Sequence, residues 1–297
     1  MVTINDALVA QFAELIRGMP DVQPLDFYHA WDGAAHDIAM YPELNHPQAM
    51  NFFFLACLHD LWRSLKRALD TEPELFLPQR LANLTEQEMW QNLFVGDGAP
   101  MPFPDPAKRL ELTRAFGEHC AMYLTTLGDF MELHEVHEQP RPLEHFLSVL
   151  KRIPGFNLDP LQKRQRLLAM ALMNRPEKFL RAAAGEQLPP IVDYHLMRLA
   201  LRLGLVEITD EKMAAKNRQR AWVGAAMEYS IRRNVHKALV RVLELSGVSP
   251  DKLDFALWSA RKYCPEMEPT VCDQCRFTTI CAKRVDLFQP VIRTTSY

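Results

Sequence analysis

Apolar residues recur at three- and four-residue spacing along most long segments of the chain, which is the period of one buried helix face and not the alternation of a strand. β-Branched runs are short and glycine is scarce, so the pattern predicts helices and no convincing strand. Residues 47–69 open with Pro47, suited to a first helical turn, and continue through Met50, Phe53, Phe54, Cys57, Leu58, Leu61 and Leu65, a buried helix with a cationic end. Prolines at 73, 78, 100, 102, 104 and 106 punctuate the next stretch, and DGAPMPFPDP reads as a loop because proline removes donors and clashes with the preceding turn. Helix returns over residues 107–138. Farther on, Asp159 is placed to cap and Pro160 to begin a helix that buries Leu161, Leu168 and Leu172. After Pro189 and Pro190 a helix runs from about Asp193 to Leu203 and closes on Gly204, and two more follow near 212–245 and 250–262.

Composition narrows the class. Hydrophobic residues make up 48% of the 297 and charged residues 24%, the balance of a globular protein and not of a disordered one, at a length that fits one large domain or two ordinary ones. Asp6, Glu14, Asp21 and Asp26 interrupt the first thirty residues, so no signal-peptide core or membrane span is read there and a cytoplasmic protein is expected. Charge is uneven: residues 1–150 hold 9 Lys and Arg against 22 Asp and Glu, net −13, and the remainder holds 25 against 15, net +10. The C-terminal half is therefore the half able to attract phosphates, although two lobes of opposite charge that attract each other account for the same numbers. The expected division is an acidic helical lobe over 1–145, a basic helical region over 146–262, and a cysteine loop with the C-terminal tail over 263–297.

Six cysteines would allow three disulfides, but Cys57 and Cys120 lie alone in apolar stretches while Cys264, Cys272, Cys275 and Cys281 crowd into eighteen residues. That clustering is metal chemistry in a reducing compartment. A Cys-x2-Cys pair presents two sulfurs to one centre, and two flanking cysteines complete four soft ligands for a 4Fe-4S cluster or, alternatively, for a structural zinc ion. A second candidate is the helix end GDFMELHEVHEQPRP, where His134 and His137 stand among Glu132, Glu135 and Glu138; a metal site and a solvated acidic helix end both fit it.

The arrangement Cys264-x7-Cys272-x2-Cys275-x5-Cys281 resembles the C-terminal Cys-x6-Cys-x2-Cys-x5-Cys of the endonuclease III and adenine-glycosylase families, with the first interval one residue longer. The surrounding LWSARKYCPEMEPTVCDQCRFTTICAK is similar to the end of those proteins, with a basic helix before the first cysteine and basic residues after the last. The resemblance implies an all-α, two-lobed DNA-glycosylase-like fold and a 4Fe-4S cluster that shapes a loop without a catalytic redox step. A second segment, PPIVDYHLMRLALRLGLV, resembles the family's Val-Asp-Thr-His sequence at the start of a helix ending in an Arg-Leu-Gly-Leu turn. Asp193 then matches the catalytic aspartate, about seventy residues before the cysteines, with Tyr194, His195 and Arg198 as substrate- or phosphate-binding candidates. A fixed carboxylate suits glycosidic cleavage, which builds positive charge on the sugar, and a helix N-terminus keeps the carboxylate ionised. Aspartate is also a common N-cap, and the residues alone fit that role as well.

The sequence departs from the family in one place. The hairpin of the form Leu-Pro-Gly-Val-Gly, which would offer backbone N–H groups to a DNA phosphate, is replaced by ALMNRPEKFLRAAAGEQ; IPGF at residues 153–156 lies too far upstream and lacks the second glycine. Lys178 is the nearest lysine before Asp193 and reads as surface charge, so Schiff-base lyase chemistry is not expected. A shorter likeness, to the helical queuosine-salvage nucleosidases, rests on Asp193-Tyr194-His195 and an early Asn51-Phe52-Phe53-Phe54. Lys212, Lys216, Arg218, Arg220, Arg232, Arg233, Lys237 and Arg241, with Trp222 and Tyr229 among them, read either as phosphate and base contacts or as solvated helix faces with Trp222 in the core. The expectation is a monofunctional N-glycosidase acting on a modified base in nucleic acid. Two alternatives stand beside it: a non-catalytic iron-sulfur protein binding nucleic acid or protein, and a nucleosidase for a free modified nucleoside.

Overall fold

A computed structural model describes residues 1–21, 68, 71–93, 95–96, 99–100, 105–123, 143–174 and 180–294. In chain order they form strand β1 (Val2–Ile4), helix α1 (Asp6–Arg17), helix α2 (Pro78–Ala82), strands β2 (Val95–Gly96) and β3 (Ala99–Pro100), and helices α3 (Pro106–Tyr123), α4 (Leu143–Leu150), α5 (Lys163–Asn174) and α6 (Tyr194–Leu203). Strand β4 (Val206–Ile208) and helices α7 (Glu211–Arg218), α8 (Ala225–Ser246) and α9 (Pro250–Ala260) follow, and short helical turns at Pro73–Phe76, Glu86–Glu88, Met89–Leu93 and Cys272–Gln274 lie between or after the named elements. The protein is mainly helical, as the spacing predicts. The early Asn-Phe helix over 47–69, the histidines at 134 and 137, and Lys178 lie outside the described residues.

The chain divides into two compact units, one made of residues 1–25 with 187–295 and the other of residues 26–186. Residue 145 lies within the second unit. In the first unit α1 buries Val9, Phe12, Ala13 and Ile16, an i, i+3, i+4, i+7 stripe, against α8. Asn5 caps it by accepting the Leu8 amide at 3.1 Å, and at its other end Arg17 donates to the Ser246 and Leu245 carbonyls in the last turn of α8. The core then gathers Leu196, Met197, Leu199 and Leu201 of α6, Ile231, Val235, Leu239 and Val242 of α8, and Leu253 and Leu257 of α9. Each such side chain contributes about 1.5–3 kcal/mol on burial.

Strands do form, which corrects the reading of the sequence. β1 runs antiparallel to β4 with Val2 opposite Ile208 and Ile4 opposite Val206, and both strands lie on α8. Three-residue segments are too short to show alternation, and a partner at the far end of the chain has no local signal. β2 and β3 likewise pair within the proline-rich stretch read as loop. The helix expected over 212–245 is interrupted between α7 and α8, where Trp222 bridges to Val291 and the Val223 amide donates to the Val291 carbonyl at 3.0 Å. Trp222 is 68% exposed, so it is not a core residue.

In the second unit α2 lies against α3 at Gly117, where a Cβ would come within 2.3 Å of the Ala82 nitrogen; only glycine permits that approach. Asp159 accepts the Leu161 and Lys163 amides at 3.0 and 2.7 Å in a turn that precedes α5, which begins at Lys163 and not at Pro160, so Asp159 is not its N-cap. Leu161, Leu168 and Leu172 are buried as the spacing predicts. Described helices include none long and apolar enough to cross a membrane.

Candidate functional site

Helix α6 organises the first unit. The apolar pair Ile191–Val192 enters the core, Arg232 of α8 holds the Val192 carbonyl at 2.8 Å, and the chain turns at Asp193 into the helix. Asp193 is its N-cap: Oδ1 accepts the Leu196 amide at 3.0 Å, and among the described residues the second carboxylate oxygen has no hydrogen-bond partner. Eleven residues on, Gly204 closes the helix with φ of +91°, as the sequence predicts.

The cysteine segment docks on that closing end. The last carbonyls of a helix lack partners within it, and here they find them in the segment that follows Cys281: the Ala282 amide donates to Leu203 at 2.9 Å and the Arg284 amide to Arg202 at 3.1 Å. A Cβ on Gly204 would lie 2.9 Å from Ala282 Cβ, so close approach as well as backbone conformation requires glycine. Cys264, Cys272, Cys275 and Cys281 all line one cavity, whose other walls are Leu199, Arg202 and Leu203 of α6 together with Tyr263, Phe277, Thr278, Lys283 and Val285. Cys264 ends the chain's exit from α9, Cys272 and Cys275 flank one 3-10 turn, and Cys281 follows a tight turn in which its amide bonds the Phe277 carbonyl at 2.9 Å. Phe277 itself is fully buried against Phe12, ring centres 5.1 Å apart, and pins this loop to the core.

Each thiol has a polar neighbour. Arg202 Nη1 donates to Cys264 Sγ at 3.3 Å, the Lys283 amide donates to Cys281 Sγ at 3.3 Å, and Cys272 Sγ lies 3.4 Å from the Thr270 hydroxyl. Burial, and then the neighbouring cysteines, push the Cys275 and Cys281 thiols above their ordinary range, opposed by amides of Phe277 and Lys283. A bound cation would reverse that preference, since a coordinating thiol is deprotonated outright. Among the described residues no group of three or more His, Cys, Asp and Glu side chains is drawn together tightly enough to hold a metal ion as it stands. The thiols line a cavity without meeting at one point. Four thiols lining one cavity are of a residue type that suits a soft metal ion.

At the opposite end of α6, Tyr194 is 36% exposed and its ring lies 3.9 Å from that of His195. Burial raises the Tyr194 phenol, with the Asp193 carboxylate adding to the effect. Burial likewise drives His195 down to about 4, and the Arg198 and Arg261 guanidinium groups act in the same direction against Asp193 and Glu266. Arg198 is 1% exposed: Nη1 bonds Gln289 Oε1 at 3.2 Å and pairs with Glu266 at 3.6 Å, while Nη2 meets His195 Nδ1 at 3.2 Å. A guanidinium engaged in this way orients the helix. The sequence reading overlooked Arg202, Glu266 and Gln289; the available signal was a second arginine, Arg202, four residues after Arg198 and so on the same side of a mostly apolar helix.

A scan of protein-family models finds none that matches this chain, and a search of curated proteins likewise finds no match.

Proposed function

We propose that Cys264, Cys272, Cys275 and Cys281 hold a 4Fe-4S cluster, and that the chain is an N-glycosidase resembling the monofunctional DNA glycosylases, acting in the cytoplasm on a modified base in nucleic acid. The observation that carries this reading is that one helix serves both ends of the proposal. α6 ends against Cys264 and Cys281 through Arg202 and Leu203, and it begins at Asp193. A rise of 1.5 Å per residue puts the two ends about 15 Å apart on one rigid rod. The group, when bound, supplies a fixed tie between four thiolates.

The chain's own residues supply the rest. Cleavage breaks the bond from the sugar carbon to the base nitrogen; the Asp193 carboxylate stabilises the positive charge that grows on the sugar, and water then adds to that carbon. Oδ1 is held by the Leu196 amide, which fixes the carboxylate's direction and leaves the second oxygen to face the substrate. The helix N-terminus favours the ionised form. Exposed Tyr194 stands beside it to stack on a base.

Asp193→Asn is the direct test, because asparagine caps a helix as well as aspartate while removing the charge. Base release from modified oligonucleotides falls by about 100-fold or more, with the 400 nm absorbance and the fold unchanged. Base release by the variant at the wild-type rate overturns Asp193 as the catalytic carboxylate, and no base release by the wild-type chain overturns the glycosidase. The capping bond itself favours a second reading, an iron-sulfur protein that binds nucleic acid or protein without catalysis, and that reading predicts no measurable change in the variant. Stoichiometric zinc without iron or sulfide in anaerobically prepared protein replaces the cluster with zinc.

A further inference from the structure

Among the described residues Arg202 is a buried cation. It is 3% exposed on the last turn of α6, and every hydrogen bond its side chain makes runs to the cysteine segment or the tail behind it. Nε donates to the Leu287 carbonyl at 2.8 Å, and Nη1 donates to the Pro265 carbonyl at 2.7 Å and to Cys264 Sγ at 3.3 Å. The Phe288 ring lies 5.0 Å from its guanidinium carbon. The peptide carbonyl of the same residue accepts the Arg284 amide at 3.1 Å and lies 3.6 Å from Cys281 Sγ. One residue thus touches both outer cysteines of the motif.

A guanidinium does not lose its proton in a protein, and a buried charge is tolerated only with a partner. Among the described residues Arg202 meets no carboxylate; the nearby carboxylate, Glu266, is shared by Arg198 and Arg220. Of the groups that its side chain hydrogen-bonds, two are neutral carbonyls and one is a thiol. Only Cys264 is able to carry the opposing charge. Four metal-bound thiolates bring more negative charge than either a zinc ion or a 4Fe-4S core offsets, so the loaded site is anionic with either metal.

We propose that Arg202 is the buried counter-cation of the four-cysteine metal centre, a positioning residue whose charge and hydrogen bond hold Cys264 as a ligand and stabilise the centre in its more negative state. This rests on the metal reading above and says nothing of the glycosidase. It assigns unequal work to the four ligands: Cys264 alone receives a charged side-chain donor, while Cys275 and Cys281 receive backbone amides. Hydrogen bonds and charge around the sulfurs are levers that set a cluster's potential.

The test compares the wild-type chain with Arg202→Met, Arg202→Lys and, as a comparator, Arg220→Met, which removes a cation that contacts Glu266, Met267 and Phe288 but no thiol. Iron, sulfide and zinc are counted per chain, folding is checked by circular dichroism, and the metal is withdrawn with excess chelator. Wild type holds its metal; Arg202→Met loses it at least tenfold faster, Arg202→Lys falls between the two, and Arg220→Met matches wild type. With iron bound, the midpoint potential of Arg202→Met drops by about 59 mV for each tenfold weakening of the reduced state, and lysine restores part of the drop. Should Arg202→Met not fold, Arg202→Lys decides by the same two measurements. Release rates and potentials equal to wild type in the folded Arg202 variants overturn the proposal. A wild-type chain that binds neither iron nor zinc removes the metal reading itself, a different failure recognised before any variant is made.

Discussion

At its C-terminal end α6 gives its free carbonyls to residues some eighty positions later in the chain, whereas at its N-terminal end the residue just before it closes the first turn. Arg202, Leu203 and Gly204 are engaged by Pro265, Ala282, Arg284 and Leu287. Asp193 is engaged by Leu196, three residues away. The first arrangement exists only in the folded unit, and the second would form in an isolated helix. The difference separates what is built around the cysteines from what any capped helix contains, and it ranks how hard each end is to disturb.

The largest effect is expected at the cysteines. Cys275→Ser removes a thiol that packs against the core and lines the shared cavity. If the four hold a metal, the variant loses it together with several kcal/mol of stability, since metal binding and folding draw on the same free energy. Metal analysis and thermal melting read both, and an unchanged melt with metal retained would remove Cys275 from the ligand set.

Gly204→Ala attacks the same end without touching a thiol. A left-handed conformation costs a non-glycine residue about 1–2 kcal/mol, and the added methyl meets Ala282 Cβ at 2.9 Å and Leu8 Cδ2 at 3.3 Å. Urea denaturation should show a loss of about 2–4 kcal/mol. A loss below about 0.5 kcal/mol would mean that the helix end and the cysteine loop are not in contact as described.

At the other end, Asp193→Ala should cost about 1 kcal/mol through loss of the cap, and Asp193→Asn close to nothing. Equal losses for the two would show that charge, not capping, stabilises this terminus. His195 is read by pH and not by substitution. Its folded value near 4 lies below the ordinary 6.5, so the neutral ring is the form that the fold prefers. Its contribution is intact above pH 6.5, declines as pH falls through that value, and is gone below about 4. A proton NMR titration should place the His195 midpoint well under 5.5, and a midpoint at 6.5 would remove the Arg198 contact at 3.2 Å as a description of the ring's surroundings.

Where structure follows from neighbours in the chain, the sequence was readable. The bounds of α6, its aspartate cap and its closing glycine follow from one amphipathic stretch between a proline pair and Gly204, and the crowding of four cysteines needs no fold to be seen. The candidate site was half legible for the same reason. The thiols and Asp193 announce themselves by residue type, but nothing local shows that Arg198 would be sealed against Gln289 and Glu266, or that Trp222 would stay exposed.

By itself the sequence determined the helical character of the chain, the crowding of four cysteines and the helix that starts at Asp193, because periodicity, caps and residue spacing act over a few residues. Tertiary structure alone decided that the first residues join the last hundred, that β1 finds β4, and that Arg202 turns its charge toward Cys264. Those outcomes depend on which distant surfaces exclude water together. A buried guanidinium takes the partner that the fold leaves beside it, and no pattern along the chain specifies that partner.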